Sequence, residues 1–333
     1  MRTALVTGAT GLVGTHVVHR LLRDGWQVRA LVRDVEGAGD LLRAGARLAP
    51  GNVLDGRSLS AAADGCDVMI HAAAAVTPRG GWEAFRQPNV DGTRNAIAAA
   101  RACGARLVHV SSVAVYGGAS HGGAGLRTSE EVELPPLPDA AFYARSKRES
   151  EQLVLEAHHR GEVWATAVRP DVIYGRYDRQ FVPRIARLLR WGFSPLIGGG
   201  RTTLPIVHAE NVADGVVRAM ATDAAGGRAY NLANDYDVSV ADFFRLAGEG
   251  MQMRLRPAHI PLGLATGAMR AFKTVAPLFF GGAFNAVSSA SVNFLTRDNP
   301  YTSERARREL GWNPPVQPEV GVPDAFHWWT THR

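Results

Sequence analysis

The sequence predicts an α/β fold in which a doubly wound parallel sheet is covered by helices on both faces. Short apolar runs alternate with helix-like segments over the first half of the chain, a pattern typical of parallel sheets. The predicted strands are Thr3–Thr7, Val28–Val32, Val68–His71, Arg106–Ser111 and Val163–Arg169. The predicted helices are Leu12–Asp24, Ser58–Ala63, Thr93–Cys103 and Phe142–His158. In such folds ligands bind beyond the carboxyl ends of the strands.

A change of composition after Arg169 indicates a second, smaller domain. Glycine, proline and aromatic residues become frequent, yet Ile206–Met220 still reads as a strand and a helix, and Tyr230–Leu232 as a strand. We therefore predict a sheet domain of residues 1–170 plus about 205–235. The second domain is predicted to be discontinuous, with about 171–204 and 236–333.

Composition excludes several classes of protein. The chain has 333 residues, of which 20% are charged, and this argues against intrinsic disorder. The net charge is +6, but the basic residues are scattered, so we expect no nucleic-acid partner. Cys66 and Cys103 form neither a disulfide framework nor a metal-ligand pattern. With no signal peptide and no apolar stretch of spanning length, we expect a cytoplasmic protein without metal or transmembrane span.

A glycine-rich turn joins the first strand to the first helix. Gly8, Gly11 and Gly14 allow a tight turn and a close approach to a pyrophosphate, which the helix N-terminus attracts. The alternative is a plain strand-to-helix turn, but the position between strand and helix favours a dinucleotide site. The residues that we expect at the cofactor in this turn are Gly8, Thr10, Gly11, Leu12, Val13 and Gly14.

The end of the second strand bears on the choice of cofactor. NAD sites usually place a carboxylate at this strand tip, whereas an arginine pairs with the 2′-phosphate of NADP. Here the tip is Val32, followed by Arg33 and then Asp34. We therefore expect NADP(H), with NAD(H) possible. In the alternative interpretation Arg33 is a solvated charge.

Two further strand ends are expected to contact the cofactor. Small residues after the strand Val68–His71 leave room for a ligand, and the amide of Asn52, which precedes that strand, could meet the adenine. Asp55 is predicted to cap the next helix, and His71 to be structural rather than catalytic. The residues that we expect at the cofactor here are Asn52, Val53, His71, Ala72 and Ala73.

A tyrosine and a lysine four residues apart form the candidate catalytic pair. Their spacing puts Tyr143 and Lys147 on one face of a helix, where the ammonium would lower the pKa of the tyrosine. Tyr143 then serves as general acid or base, and Ser112 at the end of a strand donates to the substrate oxygen. The alternative is an ordinary exposed helix pair.

Together these segments resemble the extended short-chain dehydrogenase/reductase family. The matching segments are Thr7–Gly14, His71–Ala74, Asn89–Thr93, Ser111–Gly117, Tyr143–Lys147, Arg169–Pro170, Tyr174–Gly175 and Val207–Ala213. The resemblance implies a Rossmann-type domain with a small C-terminal substrate domain. It also implies that Tyr143 and Lys147 contact the cofactor, with Lys147 holding the nicotinamide ribose. Pro170 and Val172 would line the nicotinamide, and a homodimer is possible. Whether Asn89 orders the site or caps a helix stays open.

Two departures separate the chain from the nucleotide-sugar branch of that family. Sugar dehydratases place an Asp-Glu pair where this chain has Val113 and Ala114, and epimerases place a diphosphate-binding arginine where it has Leu204. Residues 28–34 and 297–312 instead resemble 3β-hydroxysteroid dehydrogenases and dihydroflavonol reductases.

The apolar segment Ile260–Phe284 favours a hydrophobic small molecule as substrate, such as a steroid, a polyketide or a flavonoid. Residues 257–295 could form a substrate lid, a domain core or a peripheral membrane contact. We therefore expect an NADP-dependent oxidoreductase that interconverts a ketone and a secondary alcohol. The alternatives are an NAD-dependent nucleotide-sugar epimerase and a non-catalytic cofactor-sensing protein.

Overall fold

The computed structural model describes residues 2–117, 128–233, 235–261, 263, 294–296 and 298–332. The chain forms two compact units. The first unit comprises Met1–Ile173, Val207–Asp235 and Tyr301–Val316. The second unit comprises Tyr174–Ile206, Tyr236–Pro300 and Gln317–Arg333.

The described elements follow the predicted alternation of strands and helices. The strands are β1 Thr3–Thr7, β2 Gln27–Val32, β3 Arg47–Pro50, β4 Val68–His71, β5 Arg106–Val110, β6 Ala165–Pro170, β7 Val172–Tyr174, β8 Phe193–Ile197, β9 Ile206–His208, β10 Ala229–Leu232 and β11 Arg256–Ile260. The α-helices are α1 Leu12–Arg23, α2 Gly39–Arg43, α3 Gly56–Ala63, α4 Trp82–Arg86, α5 Gly92–Cys103, α6 Phe142–His159, α7 Phe181–Leu189, α8 Ala209–Ala221, α9 Val240–Gly250, α10 Glu304–Leu310 and α11 Pro318–Thr331.

Seven strands of the first unit form one sheet in the order β10-β6-β5-β4-β1-β2-β3. Every neighbouring pair in this sheet is parallel. The chain moves outward from β1 through β2 to β3 and then crosses to β4 on the other side of β1. This reversal of direction creates the crevice in which doubly wound sheets bind ligands.

Both faces of the sheet are buried, which confirms the predicted doubly wound class. In β1 the side chains of Ala4 and Val6 join one apolar core, and that of Leu5 joins the other. Helices α1 and α8 cover the first face, while α3, α5 and α6 cover the second. A strand with apolar side chains on both faces is stable only under such double cover.

The first unit contains a segment that the sequence assigned to the second domain. Residues 301–316 return to the sheet, where Trp312 is 1% exposed. Its indole Nε1 donates to the backbone oxygen of Asn211 at 3.0 Å, and the Asn211 side chain exchanges two hydrogen bonds with the backbone of Val316. The predicted boundary at 236–333 is wrong here because α10 and Trp312 complete the core beside α8.

The second unit has an aromatic core. Helices α9 and α11 pack together, and their rings meet in edge-on contacts, with Phe243 5.8 Å from Phe326. Strands β8 and β11 form a two-stranded parallel sheet. Much of the segment 257–295, for which a lid, a core or a membrane contact was predicted, lies outside the described residues. Among the described helices, none is both long and apolar enough to cross a membrane.

Candidate active site

The turn after β1 is held together by backbone contacts that leave no room for side chains. Gly8 has a φ of +64°, and its carbonyl oxygen accepts from the N–H of Gly11 at 2.9 Å. A Cβ at Gly14 would lie 2.1 Å from that oxygen, and a Cβ at Gly8 would lie 2.6 Å from the nitrogen of Ala73. Glycine at both positions therefore lets α1 and the chain after β4 approach the tip of β1.

The N-terminus of α1 faces an open surface. Gly11 caps the helix without any side-chain hydrogen bond, and the helix has no acidic residue in its first turn. Thr10 and Gly11 are exposed, and Leu12 and Val13 are half-buried. The backbone N–H groups at this end and the helix dipole suit the pyrophosphate of a dinucleotide.

The two charged residues after β2 have different roles. The Asp34 carboxylate accepts from the backbone N–H groups of Glu36 at 3.0 Å and Gly37 at 3.2 Å. Arg33 is exposed and forms no ion pair with the part of the chain that the structure describes. Asp34 therefore stabilises the following helical turn, while the guanidinium of Arg33 is available to an anion.

The residues after β3 contribute mostly through their backbone. Asn52 is half-buried, and its side-chain oxygen accepts from the N–H of Leu54 at 3.1 Å. Val53 is buried in the core, and its carbonyl accepts from Asn95 at 2.8 Å. Asp55 caps α3 as predicted, accepting from the N–H of Arg57 at 3.0 Å. Of the two residues expected at the cofactor here, Asn52 and Val53, only Asn52 keeps a polar side chain near the surface.

His71 lies inside the protein rather than at a ligand surface. Its ring is fully buried, with Nδ1 2.9 Å from the hydroxyl of Thr7 and Nε2 3.1 Å from that of Thr93. Burial, followed by the charge of Lys147, lowers the pKa of His71 to about 3. The side chain is therefore neutral and structural, and the expected contact of His71 with the cofactor stays a prediction. Ala72 and Ala73, which follow it, are half-buried.

Ser112, Tyr143 and Lys147 come from two neighbouring elements of the first unit. Ser112 follows β5 and accepts from the N–H of Ala114 at 3.1 Å, which starts a helical turn. Tyr143 lies in the first turn of α6, is half-buried, and shares a hydrogen bond with the hydroxyl of Ser112. The predicted serine and tyrosine therefore meet.

Tyr143 does not have the lowered pKa that the sequence led us to expect. Burial raises the pKa of Tyr143, and the hydrogen bond with Ser112 offsets part of that increase. The ammonium of Lys147 instead donates to the backbone oxygen of Val110 at 2.6 Å. A protonated Tyr143 is therefore the form present at neutral pH.

Lys147 is a buried cation with a titratable proton. It is 1% exposed, and burial lowers its pKa to about 8, although the charge of Glu151 opposes that decrease. Glu151 itself forms a buried, two-bonded ion pair with Arg169, with N–O distances of 2.6 and 2.9 Å. Arg169 also donates to the hydroxyl of Tyr116 at 2.7 Å. The sequence analysis missed this pair, although the four-residue spacing of Tyr143, Lys147 and Glu151 marks one helix face.

Asn89 joins two parts of the site, which settles the open question about its role. Its side-chain oxygen accepts from the N–H of Ala75 at 2.7 Å. Its side-chain nitrogen donates to the Ala75 carbonyl at 3.0 Å and to the Ser146 hydroxyl at 2.9 Å. Asn89 lies in a π-helical turn and does not cap α5 by its side chain. It therefore links the chain after β4 to the helix of Tyr143.

Directly after β6 lies Asp171, a half-buried residue with a buried carboxylate oxygen, in the segment that the family resemblance places at the nicotinamide. Pro170 is buried and Val172 is half-buried. Between them, Asp171 accepts from the N–H of Val172 at 2.8 Å through one oxygen, and its other oxygen has no hydrogen-bond partner among the described residues. Burial raises the pKa of Asp171 well above its ordinary value.

Comparison with known proteins now assigns the family. Residues 4–233 match the model of the NAD dependent epimerase/dehydratase family. The chain belongs to this family. The match spans β1 through β10, so it contains the glycine turn, Ser112, Tyr143 and Lys147. It confirms the resemblance to extended short-chain dehydrogenases/reductases and makes this protein an NAD(P)-dependent oxidoreductase.

Two relatives of this family member are similar over nearly their whole length. A 4-hydroxy-2-methyl-3-oxo-4-farnesyl-3,4-dihydroquinoline-1-oxide ketoreductase of Stigmatella aurantiaca is 33% identical, over 97% of this chain and 95% of the relative. A 2-alkyl-3-oxoalkanoate reductase of Stenotrophomonas maltophilia is 30% identical, over 96% of each.

Solved structures of the family have the same fold. The crystal structure of gox2253 is 25% identical with a TM-score of 0.77, covering 100% of this chain and 99% of that one. A UDP-glucuronic acid 4-epimerase from Bacillus cereus in complex with NAD is 18% identical with a TM-score of 0.74, covering 99% and 100%. At that identity the likeness to the epimerase concerns the fold alone.

Proposed function

We propose that this protein uses NADPH to reduce a ketone on a hydrophobic small molecule to a secondary alcohol. The observation that carries the proposal is the half-buried Tyr143 hydroxyl, hydrogen-bonded to Ser112 and with a pKa raised by burial. A protonated phenol beside a second hydroxyl is suited to donating a proton to a carbonyl oxygen. The buried ammonium of Lys147, one helical turn away, supplies positive charge when the phenolate forms.

Each residue has a definite part in the reduction. When bound, reduced nicotinamide supplies the hydride that the carbonyl carbon receives. Tyr143 gives its proton to the carbonyl oxygen, and Ser112 donates a hydrogen bond to that oxygen while negative charge develops. Lys147, with a pKa of about 8, is mostly charged at neutral pH and stabilises the resulting phenolate. Asn89 holds the Tyr143 helix against the chain after β4.

The preference for NADPH rests on the contrast between Arg33 and Asp34. A carboxylate that favours NAD must be available to the ribose hydroxyls, but Asp34 already accepts two backbone N–H groups. The exposed Arg33 has no acid partner among the described residues and suits a 2′-phosphate.

The choice of a hydrophobic ketone is supported by the relatives. The 33% and 30% identical proteins are named for substrates that contain an oxo group together with a farnesyl or alkyl chain. The nucleotide-sugar alternative lacks support from the residues. Leu204, where epimerases carry an arginine, is 1% exposed, and Val113, where dehydratases carry an acid, is 6% exposed.

Replacement of Tyr143 by phenylalanine tests the proposal. We expect NADPH-dependent reduction of a 2-alkyl-3-oxoalkanoate, or of the best ketone in a panel, to fall by about 10²–10⁴-fold in Tyr143→Phe. NADPH affinity should stay nearly unchanged because the glycine turn and Arg33 are intact. Tyr177→Phe, in the second unit, is the matched control and should keep its turnover. Wild-type turnover in Tyr143→Phe would refute the assignment.

Replacement of Arg33 by glutamine tests the cofactor. Removing a charge-assisted pair with the 2′-phosphate should raise the Kd for NADPH by about 10-fold or more and leave that for NADH unchanged. Arg47→Gln removes another exposed arginine after a neighbouring turn and should affect neither Kd. An equal loss of NADH and NADPH binding in Arg33→Gln would contradict the preference.

A further inference from the structure

Acidic residues are absent from two long stretches of sequence that lie mainly in the second unit. Residues 179–209 and 250–297 together contain ten arginines and lysines and no aspartate or glutamate. The whole chain has a formal net charge of only +6, so the remainder of the sequence is net negative. Basic residues are scattered along the chain as expected, but the acids that would neutralise them are not.

The first of these stretches also exposes large apolar side chains. Between the end of α7 and the start of β8, Leu188 is 45% exposed, Trp191 71% and Phe193 51%. Single exposed apolar residues are ordinary on protein surfaces. Here three of them lie within six residues of the chain, and a concentration of exposed apolar side chains marks a contact with a partner.

Arginines accompany these apolar side chains along the chain and across the sheet. Arg187 and Arg190 alternate with them along the chain, and the Arg190 guanidinium lies 4.8 Å from the centroid of the Trp191 ring. Arg256 pairs in register with Phe193 across the parallel strands β8 and β11, so the two side chains share one face of that sheet.

These arginines have no acid of their own. The ion pairs of the described second unit join Arg176 to Asp324, and Arg245 to Asp242 and Glu249. Arg187, Arg190 and Arg256 are exposed and form none within the described ranges. The positive charge beside these apolar side chains is therefore not compensated by any ion pair among the described residues.

We propose that these arginines and apolar side chains form a docking face, which binds the surface of a membrane that contains anionic lipids. The face consists of Arg187, Leu188, Arg190, Trp191, Phe193 and Arg256. Leucine, tryptophan and phenylalanine enter the boundary between headgroups and acyl chains, while arginines remain at the lipid phosphates. A second copy of the chain fits less well, because it would bring like charges together. A nucleic acid would leave Leu188 without a partner.

Membrane docking does not depend on the proposed reaction, but it would bring the protein close to hydrophobic substrates. A protein that docks on a bilayer meets hydrophobic molecules where they are most concentrated. Docking should be reversible, because one short apolar patch with a few arginines anchors a protein weakly.

The test measures how much purified full-length protein sediments with vesicles. We expect binding to phosphatidylcholine vesicles that contain phosphatidylglycerol, weaker binding to phosphatidylcholine alone, and a loss of binding at high salt. Arg187→Gln/Arg190→Gln should lower the partition coefficient by about fivefold per arginine. Arg47→Gln/Arg57→Gln removes the same charge from exposed, unpaired positions of the first unit and should change it little.

The contribution of the apolar side chains is tested by a variant in the docking face and a matched control variant outside it. Leu188→Ala should weaken binding to the anionic vesicles, whereas Leu42→Ala, at a position that is 59% exposed in the first unit, should not. In the unaltered protein, lipids brominated in their acyl chains should quench part of the tryptophan emission, and Trp191→Phe should lose that part. The quenching is measured on the unaltered protein, so it does not depend on a substitution that could disturb folding. For the variants, NADPH binding serves as the check on folding.

Four results would overturn the proposal. The first is a lack of sedimentation with anionic vesicles at low salt. The second is an equal loss in the face variants and their controls. The third is a dimer that forms in solution and is broken by Trp191→Ala, without vesicle binding. The fourth is binding to DNA, but not to vesicles, that requires Arg187 and Arg190.

Discussion

Lys147 and Arg169 are both buried cations close to Glu151, yet their surroundings differ. Lys147 donates to the carbonyl of Val110, and burial lowers its pKa to about 8. Burial also opposes the charge of Arg169, but the two hydrogen bonds and the charge of Glu151 outweigh it and raise the pKa. The charge of Lys147 is therefore destabilised by burial and can be used in the reaction. The charge of Arg169 is neutralised by Glu151, and the pair stabilises the packing of α6 on β6.

The largest effect on stability is expected from replacing Arg169. Arg169→Met leaves the Glu151 carboxylate buried without its partner, so we expect the free energy of unfolding to fall by about 3–5 kcal/mol. Urea denaturation measures the loss. The double variant Arg169→Met/Glu151→Leu removes both charges and should recover most of it. A double variant as unstable as the single one would show that the pair is not what holds β6 against α6.

For Lys147 we expect the opposite pattern, a large loss of turnover without a loss of stability. Lys147→Met should lower turnover by about 100-fold or more, because the phenolate loses its nearby positive charge. The free energy of unfolding should stay the same or rise, since methionine is buried without the desolvation cost of an ammonium. Steady-state kinetics and urea denaturation on the same preparation separate the two effects. A stability loss like that of Arg169→Met would make Lys147 an anchor too.

Acid should destabilise the protein through His71, whose pKa is lowered by burial and by the charge of Lys147. His71 has a pKa of about 3 in the fold and near 6.5 when unfolded, so the unfolded chain binds a proton first as pH falls. Its stabilising contribution is complete above about pH 6.5 and decreases by about 1.4 kcal/mol for each pH unit below that.

Urea denaturation of wild type and His71→Leu, at about pH 7 and pH 5.5, isolates this contribution because other titrations cancel in the difference. We expect the stability advantage of the wild type to shrink by about 1.4 kcal/mol at the lower pH. A constant difference between the two proteins would mean that His71 is not a neutral, buried group.

Local motifs of the site could be predicted from the sequence. Gly14 is required by its close approach to the carbonyl of Gly8 in the same turn, and Gly8 by its positive φ, so the motif itself carries this geometry. Tyr143 and Lys147 share a helix face because of helical periodicity alone.

Contacts between distant residues could not be predicted. The pair of Glu151 and Arg169, and the bridge from Ala75 through Asn89 to Ser146, depend on how α6 lies against the sheet. The return of residues 301–316 to the first unit depends on the packing of Trp312. The pKa of Tyr143 was wrongly predicted for the same reason, because burial and the direction of the Lys147 ammonium are properties of the packed structure.

Transfer of an isotopic label tests the central claim most directly. The protein would be incubated with NADPH that carries deuterium at the transferable position of the nicotinamide, together with a 2-alkyl-3-oxoalkanoate or another hydrophobic ketone. The account predicts an alcohol that carries one deuterium on the former carbonyl carbon and a matching amount of NADP released to solution. Turnover of a nucleotide sugar, with the cofactor retained on the protein and no label in any alcohol, would contradict it.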